Sequence, residues 1–185
     1  MLQVPEQLKT KRLLLRRMGP SDAPAVFEYA SDPRFTKFLA WPTHQSITDA
    51  ENFTRDVDAR WNAGTEYCWA LTLMGQDTAL GSIACRIQGH MAEIGYGVAS
   101  GLWGSGYATE AVSALLAWLK SIEAVHRVWA TCDIENVGSV RVLEKAGMLN
   151  EGVLRNWSIR PNLPGEPIRD SFAYAWVRDA GSSGR

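Results

Sequence analysis

The sequence predicts a single α/β domain with a mixed central sheet, antiparallel in its first half and linked by helical crossovers in its second. Hydrophobic spacing switches between the helical and the strand period along the chain. Three β-rich runs between residues 67 and 98 are joined by links short enough only for hairpins. Two later helical stretches each stand between predicted strands, as crossovers do. The length of 185 residues suits one domain, expected over residues 1–180, with 181–185 a disordered tail. With 46% hydrophobic and 21% charged residues, the chain can close a core without metals or disulfides.

Leu13 to Leu15 form a first strand, ended by Gly19-Pro20. Ser21-Asp22 starts a helix with Ala23, Val26, Phe27 and Ala30 on one face, and Asp32-Pro33 stops it. Thr48-Asp49-Ala50-Glu51 has the pattern of a capping box. Ala50, Phe53, Val57 and Trp61 continue that helix to Gly64. Tyr67–Leu73, Ala79–Ile87 and Ala92–Val98 then read as a meander, turned at Gly75-Gln76-Asp77 and Gly89-His90. A glycine loop, Ser100 to Gly106, leads into a helix over Thr109–Ile122 with Val112, Leu115, Leu116 and Leu119 as its apolar stripe. Arg127–Cys132 is a strand and Val137–Ala146 a short helix closed by Gly147. Leu149–Ile159 and Ser171–Val177 complete the sheet, joined through Pro161, Pro164, Gly165 and Pro167.

Several functions are argued against by composition. Nineteen basic and twenty acidic residues leave a net charge of -1, without the basic excess that nucleic acid or a membrane surface attracts. Cys68, Cys85 and Cys132 form no CxxC or Cys/His cluster, so neither a disulfide framework nor a metal site is expected. The apolar run Ala114–Leu119 is far short of the ~20 residues of a membrane helix. With charges near its start and no secretory core, the chain is expected in the cytoplasm.

Glu93 to Glu110, EIGYGVASGLWGSGYATE, carries the chemistry. A strand enters a glycine loop that opens into a helix, and the first amides of a helix lack internal partners and sit at its positive end. Such an arrangement binds an anion, most naturally phosphate or pyrophosphate, although a tight turn alone would also use these glycines. A mononucleotide loop needs a lysine after its last glycine, and Tyr107 stands there. A dinucleotide fingerprint would lack its third glycine, because Thr109 occupies that position.

Trp103-Gly104-Ser105-Gly106-Tyr107-Ala108 resembles the acetyl-CoA pyrophosphate loop of the GCN5-related N-acetyltransferases, [QR]-x-x-G-x-[GA]. Trp103 replaces the usual Gln or Arg, as in the branch containing the ribosomal-protein alanine N-acetyltransferases. Asn136 to Met148, NVGSVRVLEKAGM, is similar to a later motif of the same family. The order of elements over about residues 10–178 agrees as well. The resemblance implies splayed central strands, flanking helices and acetyl-CoA as co-substrate. It assigns pantetheine contacts to Tyr96, Gly97, Val98 and Asn136, and pyrophosphate contacts to the amides from Trp103 to Ala108.

The implied reaction is direct acetyl transfer to a primary amine, of a protein N-terminus or a small molecule, with Val98 N–H at the thioester oxygen. Many relatives protonate the leaving thiolate with a tyrosine at the position of Leu143, which cannot donate. Ser139 is the expected substitute, since it shares a helix face with Asn136. Glu93 is the candidate base, directly or through water, whereas Glu110 is read as a carboxylate complementing its helix dipole. His44, His90 and His126 do not cluster and are read as surface residues, with His44 beside the expected acceptor site. Trp41 and Trp157 are expected to line that site. The alternative is a non-catalytic CoA-binding sensor or scaffold, and the C-terminal strands are a candidate homodimer contact.

Overall fold

A computed structural model describes residues 2–165 and 168–179. Expectations for Pro167 and for a tail over 181–185 lie outside the described residues.

One eight-stranded sheet organises the chain. Its strands are β1 (Gln7–Lys9), β2 (Leu13–Arg17), β3 (Tyr67–Leu73), β4 (Gly81–Gln88), β5 (Met91–Val98), β6 (Arg127–Asp133), β7 (Leu149–Ile159) and β8 (Ile168–Val177). They lie in the order β1-β2-β3-β4-β5-β6-β8-β7. Only β5 and β6 run parallel; every other neighbouring pair is antiparallel. The helices α1 (Ala23–Ala30), α2 (Pro33–Thr36) and α3 (Ile47–Asn62) separate β2 from β3. The crossovers are α4 (Tyr107–Ser121), from β5 to β6, and α5 (Val137–Lys145), from β6 to β7. The predicted mixed α/β class and the antiparallel first half hold.

The differences have local causes. β1 is three residues long with exposed ends, too short to show alternation in sequence. Asp32-Pro33 ends α1 but also begins α2, because the Asp32 carboxylate accepts the Arg34 amide at 2.9 Å and proline suits the first helical turn. The second long helix starts before Thr48: Asp49, not Glu51, reaches back, accepting the amides of Gln45 at 2.8 Å and Ser46 at 2.9 Å. α4 starts two residues before Thr109 because Gly106 caps it in the left-handed conformation at φ 80. β8 reaches back to Ile168, ahead of the expected Ser171.

Two cores enclose the sheet. α4 buries Val112, Leu115, Leu116 and Leu119 against one face, with Val128, Ala130 and Leu143 nearby. Each such aliphatic side chain contributes about 1.5–3 kcal/mol over leaving it exposed. On the other face, α1 to α3 bury Val26, Tyr29, Phe35, Ala50 and Val57 over β3 and β4.

Candidate active site

The parallel pairing of β5 with β6 ends after Met91–Arg127, Ala92–Val128 and Glu93–Trp129. β5 continues along β4 to Val98, and β6 continues along β8 to Asp133. A wedge-shaped gap therefore opens beyond Glu93. The Ala99 amide donates to the Leu80 carbonyl at 2.8 Å, which fixes the alternation of β5. It turns the backbone groups of Ile94, Tyr96 and Val98 away from β4 and into the gap. The Val98 carbonyl is taken by Trp103 Nε1 at 2.8 Å, leaving its N–H toward the gap. Trp103 thus locks the loop to the end of β5, a side-chain task in place of the expected amide contact. Gly97 differs from its expected role: opposite Ser82, its backbone belongs to the β4 ladder. Its place is steric, since an added Cβ would lie 2.8 Å from Phe35 Cζ.

Gly104 and Gly106 hold φ values of 79 and 80, in the left-handed region that glycine enters without strain. Amides of Trp103 and Ser105 are used within the loop, each at 3.3 Å. Those of Gly104, Gly106, Tyr107 and Ala108 have no partner among the described residues and cluster at the start of α4. Arg12 fastens this loop from outside. Its Nε donates to Glu110 at 2.7 Å and its Nη1 to the Ser105 carbonyl at 2.9 Å, while its guanidinium lies 4.5 Å from the Tyr107 ring centroid. Burial pushes the Glu110 carboxyl up, but hydrogen bonds from Thr10 and Arg12 outweigh it and hold the group below its ordinary value. Glu110 is therefore structural, as its position in the first turn suggests.

On the α5 side of the gap, Tyr96 Oη lies 2.8 Å from Ser139 Oγ, and either oxygen can donate. Asn136 caps α5 by accepting the Ser139 amide at 3.1 Å, which sets where Ser139 projects. Burial raises the Tyr96 phenol, so it stays protonated, and pushes the Cys132 thiol up to about 11 beside the same serine. Leu143 is fully buried in the core and takes no part. The Tyr96 hydroxyl is the group that the sequence reading missed, though strand alternation placed it opposite Glu93. Glu93 lies on the other face at the closed end of the gap, with Arg86 Nη1 3.3 Å from its carboxylate.

Trp41 and His44 do come together, with ring centroids 5.0 Å apart, and Phe35 and Phe53 flank Trp41. His44 is buried, contrary to the surface reading, because these rings enclose it. Burial outweighs the attraction of Asp49 and lowers its pKa, so the imidazole is neutral at neutral pH. Asn162, between β7 and β8, ties this cluster down: Nδ2 donates to the Thr36 and Trp41 carbonyls at 2.8 Å each, and Oδ1 accepts the Thr43 amide at 2.9 Å. Trp157 stands apart, half exposed on the edge strand β7. Among the described residues, no group of three His, Cys, Asp or Glu side chains could hold a metal. Nor, among the same residues, is any helix long and apolar enough to cross a membrane.

The profile of the acetyltransferase (GNAT) domain matches residues 12–149, most of the chain and both sides of the gap. This chain belongs to the GNAT family. An uncharacterized N-acetyltransferase, p20 of Bacillus licheniformis, is 28% identical over 155 residues, covering 82% of this chain and 87% of that protein. The solved GNAT acetyltransferase of Bacillus anthracis is 30% identical, with a TM-score of 0.79 over 92% of this chain and 98% of its own. The fold is also that of RimL, a ribosomal L7/L12 α-N-protein acetyltransferase solved with coenzyme A. That likeness has 19% identity and a TM-score of 0.81, over 95% of this chain and 99% of RimL. Acetyl-CoA is the co-substrate of this GNAT enzyme, and the unpartnered loop amides and the gap fit its diphosphate and its extended arm.

Proposed function

We propose that this enzyme acetylates a primary amine, of a protein N-terminus or a small molecule, by direct attack in a ternary complex. The observation that carries this reading is the Tyr96–Ser139 hydroxyl pair, 2.8 Å apart, beside the gap between β5 and β6. Amides of Gly104, Gly106, Tyr107 and Ala108 hold the diphosphate at the positive end of α4. Backbone groups of Tyr96 and the side chain of Asn136 hold the arm, and the Val98 N–H donates to the thioester oxygen as it gains charge.

An ammonium has no lone pair, so the acceptor first gives a proton to Glu93, directly or through water. The amine nitrogen then bonds to the acetyl carbon, the carbon–sulfur bond breaks, and the thiolate takes a proton from the Ser139–Tyr96 pair. The proton that the new amide nitrogen sheds returns through water to that pair. Tyr96 takes over the donor task that Leu143 cannot perform. Trp41 and His44 frame the acceptor. A cytoplasmic setting supplies the co-substrate, and the exposed apolar residues of β7, Leu149, Val153, Trp157 and Ile159, suit a homodimer contact that light scattering tests.

Free-thiol release from acetyl-CoA over a panel of amines and peptides is the direct test. Ser139→Ala and Tyr96→Phe should each lower kcat by about 10²-fold or more with acetyl-CoA affinity unchanged, and the double variant should lose little beyond the single ones. CoA binding without thiol release for any acceptor would instead identify a sensor or scaffold.

A further inference from the structure

The face of the sheet that carries Glu93 and Gly97 also carries Asp133, because Glu93 pairs with Trp129 and side chains alternate along β6. Asp133 stands at the end of β6 where the gap is widest, opposite Ser171 of β8. Its carboxylate is fully engaged: Oδ1 accepts the Glu135 amide at 2.9 Å and Oδ2 accepts Arg169 Nε at 3.3 Å. Arg169 is itself satisfied by Glu135 at 2.5 Å.

Arg160, just past β7, reaches the same spot and is left over. It is 7% exposed, yet its guanidinium makes no hydrogen bond or ion pair among the described residues, and Nε is wholly buried. The Ser171 hydroxyl opposite Asp133 is likewise buried and unpartnered. An Nε–H buried without a partner is costly, and the acidic groups that act on Arg160 are Asp133 and Cys132. Burial accordingly lowers the Arg160 pKa despite their attraction. Two residues on, Asn162 fixes the same turn to the Trp41 loop, so one tied segment carries Arg160 and holds the aromatic cluster.

We propose that Arg160 is a specificity-determining residue that receives an anionic oxygen group of the acceptor, a carboxylate or a phosphate borne by the same molecule as the reacting amine. This rests on the acetyl-transfer reading above. A guanidinium presents a planar fork of donors that matches two oxygens of one anion, and a dry surround strengthens the pairing. Positively charged or amide-capped amines would leave the fork unpaired.

The test measures thiol release with matched acceptors: amines bearing a carboxylate, the same amines as carboxamides, and their phosphorylated counterparts. The wild type should prefer the anionic member by about ten- to a hundred-fold in kcat/KM. Arg160→Gln should abolish that preference, and Arg160→Lys should restore part of it. Calorimetry with acetyl-CoA confirms that each variant is folded. In the CoA-loaded wild type, the Arg160 Nε–H resonance, assigned by its absence from Arg160→Gln, should shift with anionic acceptors and not with their amides.

Equal turnover of anionic and amide forms by the wild type overturns the proposal, whether or not the variants fold, and leaves acetyl transfer standing. No turnover of any acceptor together with an unmoved Arg160 resonance also overturns it. An intact resonance shift without turnover supports the anion site while counting against acetyl transfer.

Discussion

Gly97→Ala adds one methyl group where the sheet and the aromatic cluster meet. The new Cβ would stand 2.8 Å from Phe35 Cζ and 2.9 Å from Cε2. Carbon atoms pack at about 3.5–4.0 Å, so the ring must retreat by about 1 Å. It has little room: Phe35 is 9% exposed, and the Tyr29 and Trp41 rings stand 4.8 and 6.3 Å away. Backbone strain plays no part, because Gly97 lies outside the left-handed region. Overpacking of this kind costs about 1–3 kcal/mol, or about 2–12 °C in Tm for a chain this long. The displaced ring pushes on Trp41, so acceptor KM should rise while acetyl-CoA affinity stays. Thermal unfolding of Gly97→Ala, Phe35→Leu and the pair forms a cycle that isolates the contact. The alanine should cost at least ~1 kcal/mol less when Phe35 is leucine. An equal cost in both backgrounds would refute the steric account.

The glycine loop and the acceptor side yield further expectations. Arg12→Ala removes the clamp on Ser105 and Tyr107 and should raise the acetyl-CoA Kd several-fold, measured by calorimetry, with acceptor KM little changed. Asn162→Ala deletes the ties to Thr36, Trp41 and Thr43 and should cost about 1.5–4.5 kcal/mol in denaturant unfolding, at about 0.5–1.5 for each of the three bonds lost. His44 has a folded pKa below its ordinary 6.5, so the unfolded chain takes up the proton first. Its contribution is intact above pH 6.5 and declines as the pH falls through the folded value. Tm followed against pH should show that limb in the wild type, and His44→Gln should flatten it.

Much of this architecture was readable from the chain because its long elements are strongly periodic. The α4 stripe, the 67–98 meander and the glycine loop each join pattern to punctuation, and each lies within a few residues of its predicted place. Short elements escaped: β1 has three residues, and α2 hides behind an Asp-Pro that both ends one helix and starts the next. The cofactor side of the site was legible because it consists of backbone and motif. Side chains that meet across elements were not. Tyr96 and Ser139 are 43 residues apart, and Asn162 reaches a loop about 120 residues away. His44 shows the same limit, since the rings packed on it come from α3 and from the loop before it.

The divergence of β5 from β6 leaves an open seam in the interior of a sheet, where neighbouring backbones ordinarily satisfy one another. Anything that lies there as a surrogate strand closes the ladder and joins the meander to the C-terminal half. Ligand occupancy should therefore stiffen the whole molecule, raising its resistance to heat and slowing amide exchange on both flanks together. Residues far from the thiol, along Ile94 to Val98 and Ala130 to Asp133, would then report whether the enzyme is loaded.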